Sequence, residues 1–172
     1  MVQYRNDLIK AYIKDKDVLD VGSCGVDGFF FDMMKKHAKS ITGLDLNGKG
    51  EIIKGDAETI DLHKTFDVVV AGDIIEHLNN VGLFLSNMHK HLRKGGTIII
   101  STPNVKAWAY HFFKGNRDHT AWFCQYTLSC CLKRNGFKIK RITYCVRRKK
   151  GFLYDYLRYL FANNLFIVGE KA

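Results

Sequence analysis

Three glycines, Gly22, Gly25 and Gly28, follow the short apolar run Val18-Leu19-Asp20-Val21. Glycines in that place let a backbone turn sharply and admit a ligand close to it. Their spacing, G-x-x-G-x-x-G, differs from the G-x-G-x-x-G of dinucleotide folds, so the turn alone is compatible with several ligands. Asp45 narrows the choice, because it ends the next apolar run, where a carboxylate can accept from both hydroxyls of a ribose. Together they predict a nucleoside-containing cofactor. Asp20, inside an apolar strand, costs free energy unless it meets donors or a cation. His77, His111 and His119 are the candidate bases, since histidine alone titrates near neutrality without perturbation.

The elements that would position these residues alternate. Helices are expected over Asp7–Lys14, Phe29–Lys36, the stretch carrying Val81, Phe84, Leu85, Met88 and Leu92, and Gln125–Asn135. Gly95-Gly96 and Gly136 are read as the ends of the last two. Strands are expected at Val18–Gly22, Ser40–Leu46, Ile52-Ile53, Phe66–Ala71, Gly96–Ser101, Phe137–Val146 and Leu165–Val168. The order predicts an α/β domain with a mainly parallel sheet. In Phe137–Val146 the inward set Phe137, Ile139, Ile142, Tyr144, Val146 slips by one near Arg141, which predicts a bulge. Only about six residues separate the second and third strands, too few for a parallel crossover helix. Either that helix is missing or the third strand is misplaced, and a missing helix would leave a sheet face uncovered for an oligomer contact.

At 172 residues, 47% hydrophobic and 26% charged, the chain has the size and balance of one globular domain over 1–172. Residues 1–16 form its N-terminal helix, and 103–121 and 147–164 are read as substrate-side connections. The start lacks the apolar core of a signal peptide and no stretch is long enough to span a bilayer, so a cytoplasmic location is expected. Five cysteines without a C-x-x-C pair argue against a disulfide framework or structural zinc site. The net charge of +10 is regional: His119–Tyr154 holds nine basic residues and no acid. Such a patch attracts anionic partners. The run FLYDYLRYLF after Arg147-Arg148-Lys149-Lys150 would pack as a lid, meet a subunit or lie on an anionic membrane.

With VLDVGS at the first turn, GLDL at the second strand, GDAE, FDVVVAGDIIEHL and LRKGGTIIISTPN, the chain resembles the class I S-adenosylmethionine-dependent methyltransferases. Within them it is similar to the small-molecule group that includes ubiquinone-biosynthesis O-methyltransferases, from about Val18 to Gly136, with HTAWF and NGF matching the later segment. The resemblance implies a Rossmann-like fold: a seven-stranded, mostly parallel sheet with the last strand antiparallel and helices on both faces. S-adenosylmethionine is then the cofactor. Asp20 and Gly22 would hold its methionine part, Asp45 its ribose, Asp56 and Ala57 its adenine, and Gly72 and Asp73 its other side, with Ser23, Cys24, Gly25 and Leu46 also among the cofactor-binding residues. Cys24 and Val26 stand where the family pattern has glycines, which alters the loop path.

The methyl of a sulfonium is already electrophilic, so the protein has to align a nucleophile, exclude water and, for a hydroxyl or ammonium, supply a base. His119 and His77 are the catalytic candidates. D-x-x-E-H over Asp73, Glu76 and His77 resembles the E-x-x-E-H of metal-dependent branches, with His119 as a further ligand for Mg, Mn or Zn. The alternative is a metal-free helix start, which favours acids anyway. The expected acceptor is a small molecule, with an anionic or membrane-associated substrate as one possibility. RNA methylation, or a cofactor-binding module without catalysis, are the rival readings, and the oligomeric state stays open.

Overall fold

The computed structural model describes residues 2–24, 29–106, 118–145 and 164–172. Strands β1 (Asp17–Val21), β2 (Ser40–Asp45), β3 (Ile52–Lys54), β4 (Phe66–Gly72), β5 (Leu92–Pro103), β6 (Phe137–Cys145) and β7 (Asn164–Lys171) form one sheet. Its order is β3-β2-β1-β4-β5-β7-β6. The first five strands are parallel neighbours, and β7 runs antiparallel between β5 and β6. Helices α1 (Val2–Ile13), α2 (Phe29–Lys35), α3 (Val81–His91) and α4 (Gln125–Arg134) cover the sheet.

Burial alternates along the strands, and the alternation sorts the core into two layers. Leu8, Ile9 and Ile13 of α1 and Met34 of α2 pack on one face, against Val18, Val68, Val70, Ile99, Phe166 and Val168. Phe84, Leu85 and Met88 of α3 and Leu128 and Leu132 of α4 pack on the other, against Leu19, Val69, Ile98, Ile100 and Ile167. Odd and even residues of one strand thus feed opposite cores, the pattern of a sheet sandwiched between helices. Asn80 caps α3 by accepting from Leu83 N at 2.9 Å, and the Lys171 ammonium donates to His89 O and Leu92 O at its other end.

Several expectations shift. α1 begins at Val2, well before Asp7. β3 is in place and parallel to β2, so it is the intervening helix that is missing. Gly95 does not close α3, which ends at His91. It lies at φ +71 in a bulge of β5 between the pairs Phe66–Leu92 and Val68–Thr97. The β6 bulge is present, with Lys140 the extra residue between Ile139 and Arg141. It leaves Ile142 exposed rather than inward, as an edge strand permits. β7 extends to Asn164–Lys171 because it pairs on both sides. Among the described residues no helix is long and apolar enough to cross a membrane. Val146, His111, most of 103–121 and nearly all of 147–164 lie outside the described residues, and with them the aromatic run.

Candidate active site

The sheet order reverses at β1, with β2 on one side and β4 on the other, and the crevice above the C-terminal ends of these strands is where such folds bind ligands. A cavity of about 460 Å³ opens there, lined among others by Gly22, Asp45, Leu46, Asp56, Ala57 and His77. A smaller one of about 140 Å³ is lined by Arg5, Asp20, Phe30, Gly72 and Asp73. Val21 and Gly22 border both. Gly22 has φ +84, and a Cβ there would stand 2.3 Å from Ile74 Cγ2. Only glycine keeps that junction open.

Asp45 is aimed by two loops: its Oδ2 accepts from Cys24 N at 3.0 Å and its Oδ1 from Asn47 N at 2.8 Å. Each oxygen keeps one lone pair for a ligand hydroxyl. Ser23 faces away from both cavities, donating to Asp20 O at 2.7 Å and accepting from Leu44 N at 3.2 Å, and so staples the turn to β1 and β2. Cys24 contributes its backbone amide, while its thiol turns to Asn47 O. Gly25 lies outside the described residues. Leu46 is 64% exposed at the cavity rim, an apolar surface available to a ring. The Asp56 carboxylate accepts from Glu58 N, and Asn87 of α3 donates to Ala57 O and Ile60 O, pinning this loop to the helix.

Asp20 is buried, its Oδ2 has no partner, and burial pushes its pKa up to about 7, against the pull of the neighbouring Ser23 hydroxyl and with the Asp45 charge adding to the rise. Across the same small cavity Arg5, its side chain only 10% exposed, has a buried Nε without a partner. An orphaned carboxylate and an orphaned guanidinium N–H on one cavity suit a zwitterionic amino-acid group, ammonium to Asp20 and carboxylate to Arg5. Nucleoside features in one cavity and amino-acid features in the next fit S-adenosylmethionine, with Gly22 between the halves. Sequence reasoning missed Arg5, to which it gave no chemistry, and also Glu58 and Asn79, which line the large cavity and are joined by a 2.8 Å bond from Asn79 N.

Beyond β4 a 3-10 turn, Ile75–His77, brings three groups together. Ligand atoms of Glu76, His77 and His119 lie within 4.8 Å of one another. Thr120 ties the two segments, its amide donating to Glu76 O at 2.7 Å and its hydroxyl to Leu78 O at 2.6 Å. His77 Nδ1 is 3.0 Å from Asp118 O, and a carbonyl can only accept, so the proton sits on Nδ1 and Nε2 keeps a lone pair. His119 packs edge-on to His77 and Trp122, and burial, then His77, lowers its pKa despite Asp118 and Asp73. It therefore stays neutral near pH 7. Burial raises the Glu76 carboxyl, whose Oε2 accepts from Thr102. Asp73 departs from the D-x-x-E-H expectation: its carboxylate is taken by Arg5, Ser101 and Asn164 and is not in this cluster.

Fold and cavities define a class I S-adenosylmethionine-dependent methyltransferase. A family described as a methyltransferase domain matches residues 2–142, and the chain belongs to that family. The ubiquinone biosynthesis O-methyltransferase of Rickettsia conorii is 32% identical over 120 residues, covering 61% of this chain and 39% of that protein. That of Rickettsia bellii (strain OSU 85-389) is 31% identical over 127 residues, covering 63% and 52%. The chain thus spans about half the length, or less, of these curated relatives. A SAM-dependent methyltransferase from Archaeoglobus fulgidus superposes with a TM-score of 0.71 at 22% identity, covering 98% of this chain and 96% of that one. The N-methyltransferase NodS from Bradyrhizobium japonicum WM9, in complex with S-adenosyl-L-homocysteine, gives 0.72 at 15% identity, covering 98% and 86%. At these identities the likeness is one of fold.

Proposed function

We propose that the protein transfers a methyl group from S-adenosylmethionine to an oxygen of a small acceptor that carries an anionic or lipid-like part. The pairing of His77 and His119, beside the wall of the larger cavity, carries the reading. The cofactor supplies a methyl on a sulfonium sulfur. Asp45 orients its ribose, Asp20 and Arg5 hold its amino-acid end, and the apolar rim at Leu46 and Ile74 keeps water from the adenosine. His119, neutral near pH 7, takes the acceptor proton, and the Nδ1–H bond to Asp118 O fixes the neighbouring His77 ring. An oxygen acceptor is favoured by the names of the relatives, and an anionic or lipid-like part by the composition of the basic and aromatic run 147–161, read from the sequence alone.

The test is S-adenosylhomocysteine formation with hydroxylated acceptors against amines of the same skeleton. A preference for hydroxyls and a loss of about 10²–10⁴-fold in His119→Ala are expected. Preference for amines refutes the acceptor, and cofactor binding without turnover on any acceptor leaves a binding module. A steep loss of binding to RNA with salt would favour the RNA reading.

A metal-assisted form is a second reading, carried by the 4.8 Å cluster. One carboxylate and two imidazoles suit Mn or Zn, and Glu76, His77 and His119 would hold the ion, which would lower the pKa of an acceptor hydroxyl. Equilibrium dialysis with Mn(II) or Zn(II) tests it: stoichiometric uptake lost in His77→Ala supports the site, and no uptake ends it.

A further inference from the structure

Asp73 has φ +54, a left-handed backbone that side-chain-bearing residues rarely adopt, at the end of β4. Its amide donates to Ser101 O at 2.9 Å, which fixes the turn. Ser101 Oγ and Asn164 Nδ2 donate to its Oδ1 at 3.1 and 2.9 Å, while Arg5 Nη1 grips Oδ2. The guanidinium also donates to Ser101 Oγ at 3.3 Å and lies 4.1 Å over the Phe30 ring. Arg5 is thus seated on the wall of the small cavity with its charge already spent on a protein carboxylate. A ligand carboxylate that docks on the unpartnered Nε competes with Asp73, which holds Nη1, for the same charge. Asp73, in turn, borders the cavity on one side, and on the other is close enough to act electrostatically on Glu76 and His119.

We propose that the Arg5–Asp73 ion pair is a latch opened by the amino-acid end of the cofactor. The cofactor carboxylate takes Arg5, its ammonium meets Asp20, and Asp73 is released while Ser101 and Asn164 still hold its Oδ1. The freed Oδ2 then accepts a hydrogen bond from the methyl acceptor. Cofactor therefore binds first, and the acceptor subsite is completed by its arrival. Arg5 is a positioning residue in this exchange, and the closed pair lowers cofactor affinity by the fraction of molecules in which Arg5 is occupied.

Calorimetry with S-adenosylhomocysteine and with 5′-methylthioadenosine, which lacks the amino-acid end, tests the exchange in wild type, Asp73→Asn, Arg5→Gln and the double variant. Asparagine keeps an Oδ1 for Ser101 and Asn164 and tolerates a positive φ, so Asp73→Asn preserves the turn. Asp73→Asn is expected to tighten S-adenosylhomocysteine about three- to tenfold, the factor for a latch closed in most molecules. Arg5→Gln should weaken it about 10- to 100-fold, and the gain from Asp73→Asn should vanish in the double variant. Methylthioadenosine affinity should not move in any variant. Weaker or unchanged S-adenosylhomocysteine binding in Asp73→Asn, or a parallel change for methylthioadenosine, overturns the latch. Should Arg5→Gln not fold, the Asp73→Asn result with the two ligands decides alone. Wild-type protein that binds methylthioadenosine but not S-adenosylhomocysteine any more tightly overturns the amino-acid pocket and the latch with it.

Discussion

Ionisation of Asp20 should act in opposite directions on folding and on ligand binding. Burial lifts its pKa from the ordinary 3.8 to about 7, and its Oδ2 is unpartnered. In the ligand-free fold the proton is held, so stability falls as pH rises from the ordinary value through the raised one, the folded state binding more protons than the unfolded. An arriving ammonium needs the carboxylate and expels that proton, so affinity rises over the upper part of the same window. With a midpoint near 7, the ionised fraction goes from roughly one-tenth at pH 6 to roughly nine-tenths at pH 8. The expected gain in S-adenosylhomocysteine affinity is about ninefold, or ~1.3 kcal/mol. Calorimetry at pH 7 in two buffers of different ionisation enthalpy should register release of about half a proton. Asp20→Asn should abolish the release, weaken binding at pH 8 by about 10- to 100-fold, and raise the ligand-free Tm. The variant also subtracts titration of the ligand's own amine. Wild-type affinity that is flat from pH 6 to 8, or an Asp20→Asn variant of lower Tm at pH 8, would refute the reasoning.

Gly22→Ala should abolish cofactor binding while the fold persists at lower Tm, because its Cβ meets Ile74 Cγ2 at 2.3 Å and its φ is +84; circular dichroism with calorimetry separates the two effects. Phe84→Ala should cost about 3–5 kcal/mol in urea unfolding, since its side chain is fully buried between α3 and the sheet. At the N-terminal ends of the central strands β1 and β4, Arg93 donates to Asp17 and Asp67 at 2.8 and 2.6 Å; it lowers the pKa of Asp17 and, against burial and together with the Asp17 amide, that of Asp67. That contribution is fully present above the ordinary carboxylate pKa and is lost as pH falls from there through the lowered values. The Tm gap between wild type and Arg93→Met should be widest near neutrality and close toward pH 3; a gap constant with pH would contradict this.

What the sequence carried was local. Strands β1, β4 and β5 were legible because runs such as Val68-Val69-Val70 and Ile98-Ile99-Ile100 are apolar on both faces, and Asp45, the expected ribose acid, because it ends the next strand, β2. The slip in β6 was legible as a break in alternation. What was missed depends on distant pairs. Arg5 and Asp73 are 68 positions apart, and Asn164 and Asp73 are 91 apart. No periodicity announces such a meeting. Asn87 did leave a trace, as a polar residue among the apolar positions of α3, where its two bonds to the Asp56–Ile60 loop support the adenine side. Asp73 misled because its spacing to Glu76 and His77 suggests a shared ligand set, whereas the positive φ turns it toward Arg5.

The place of β7 bears on how the molecule is made. Last in chain order of the described strands, it lies inside the sheet, and among the described residues β6 pairs with β7 alone. A nascent chain that has emerged only through residue 145 can pair the five parallel strands yet must leave the exposed flanks of β5 and β6 waiting for a strand not yet synthesised. Asn164, the first residue of that strand, also supplies one of the bonds on Asp73. Completion of the sheet and of the Asp73 network therefore waits until residues 164–171 have emerged, and a chaperone that shields those open flanks would be most useful until then.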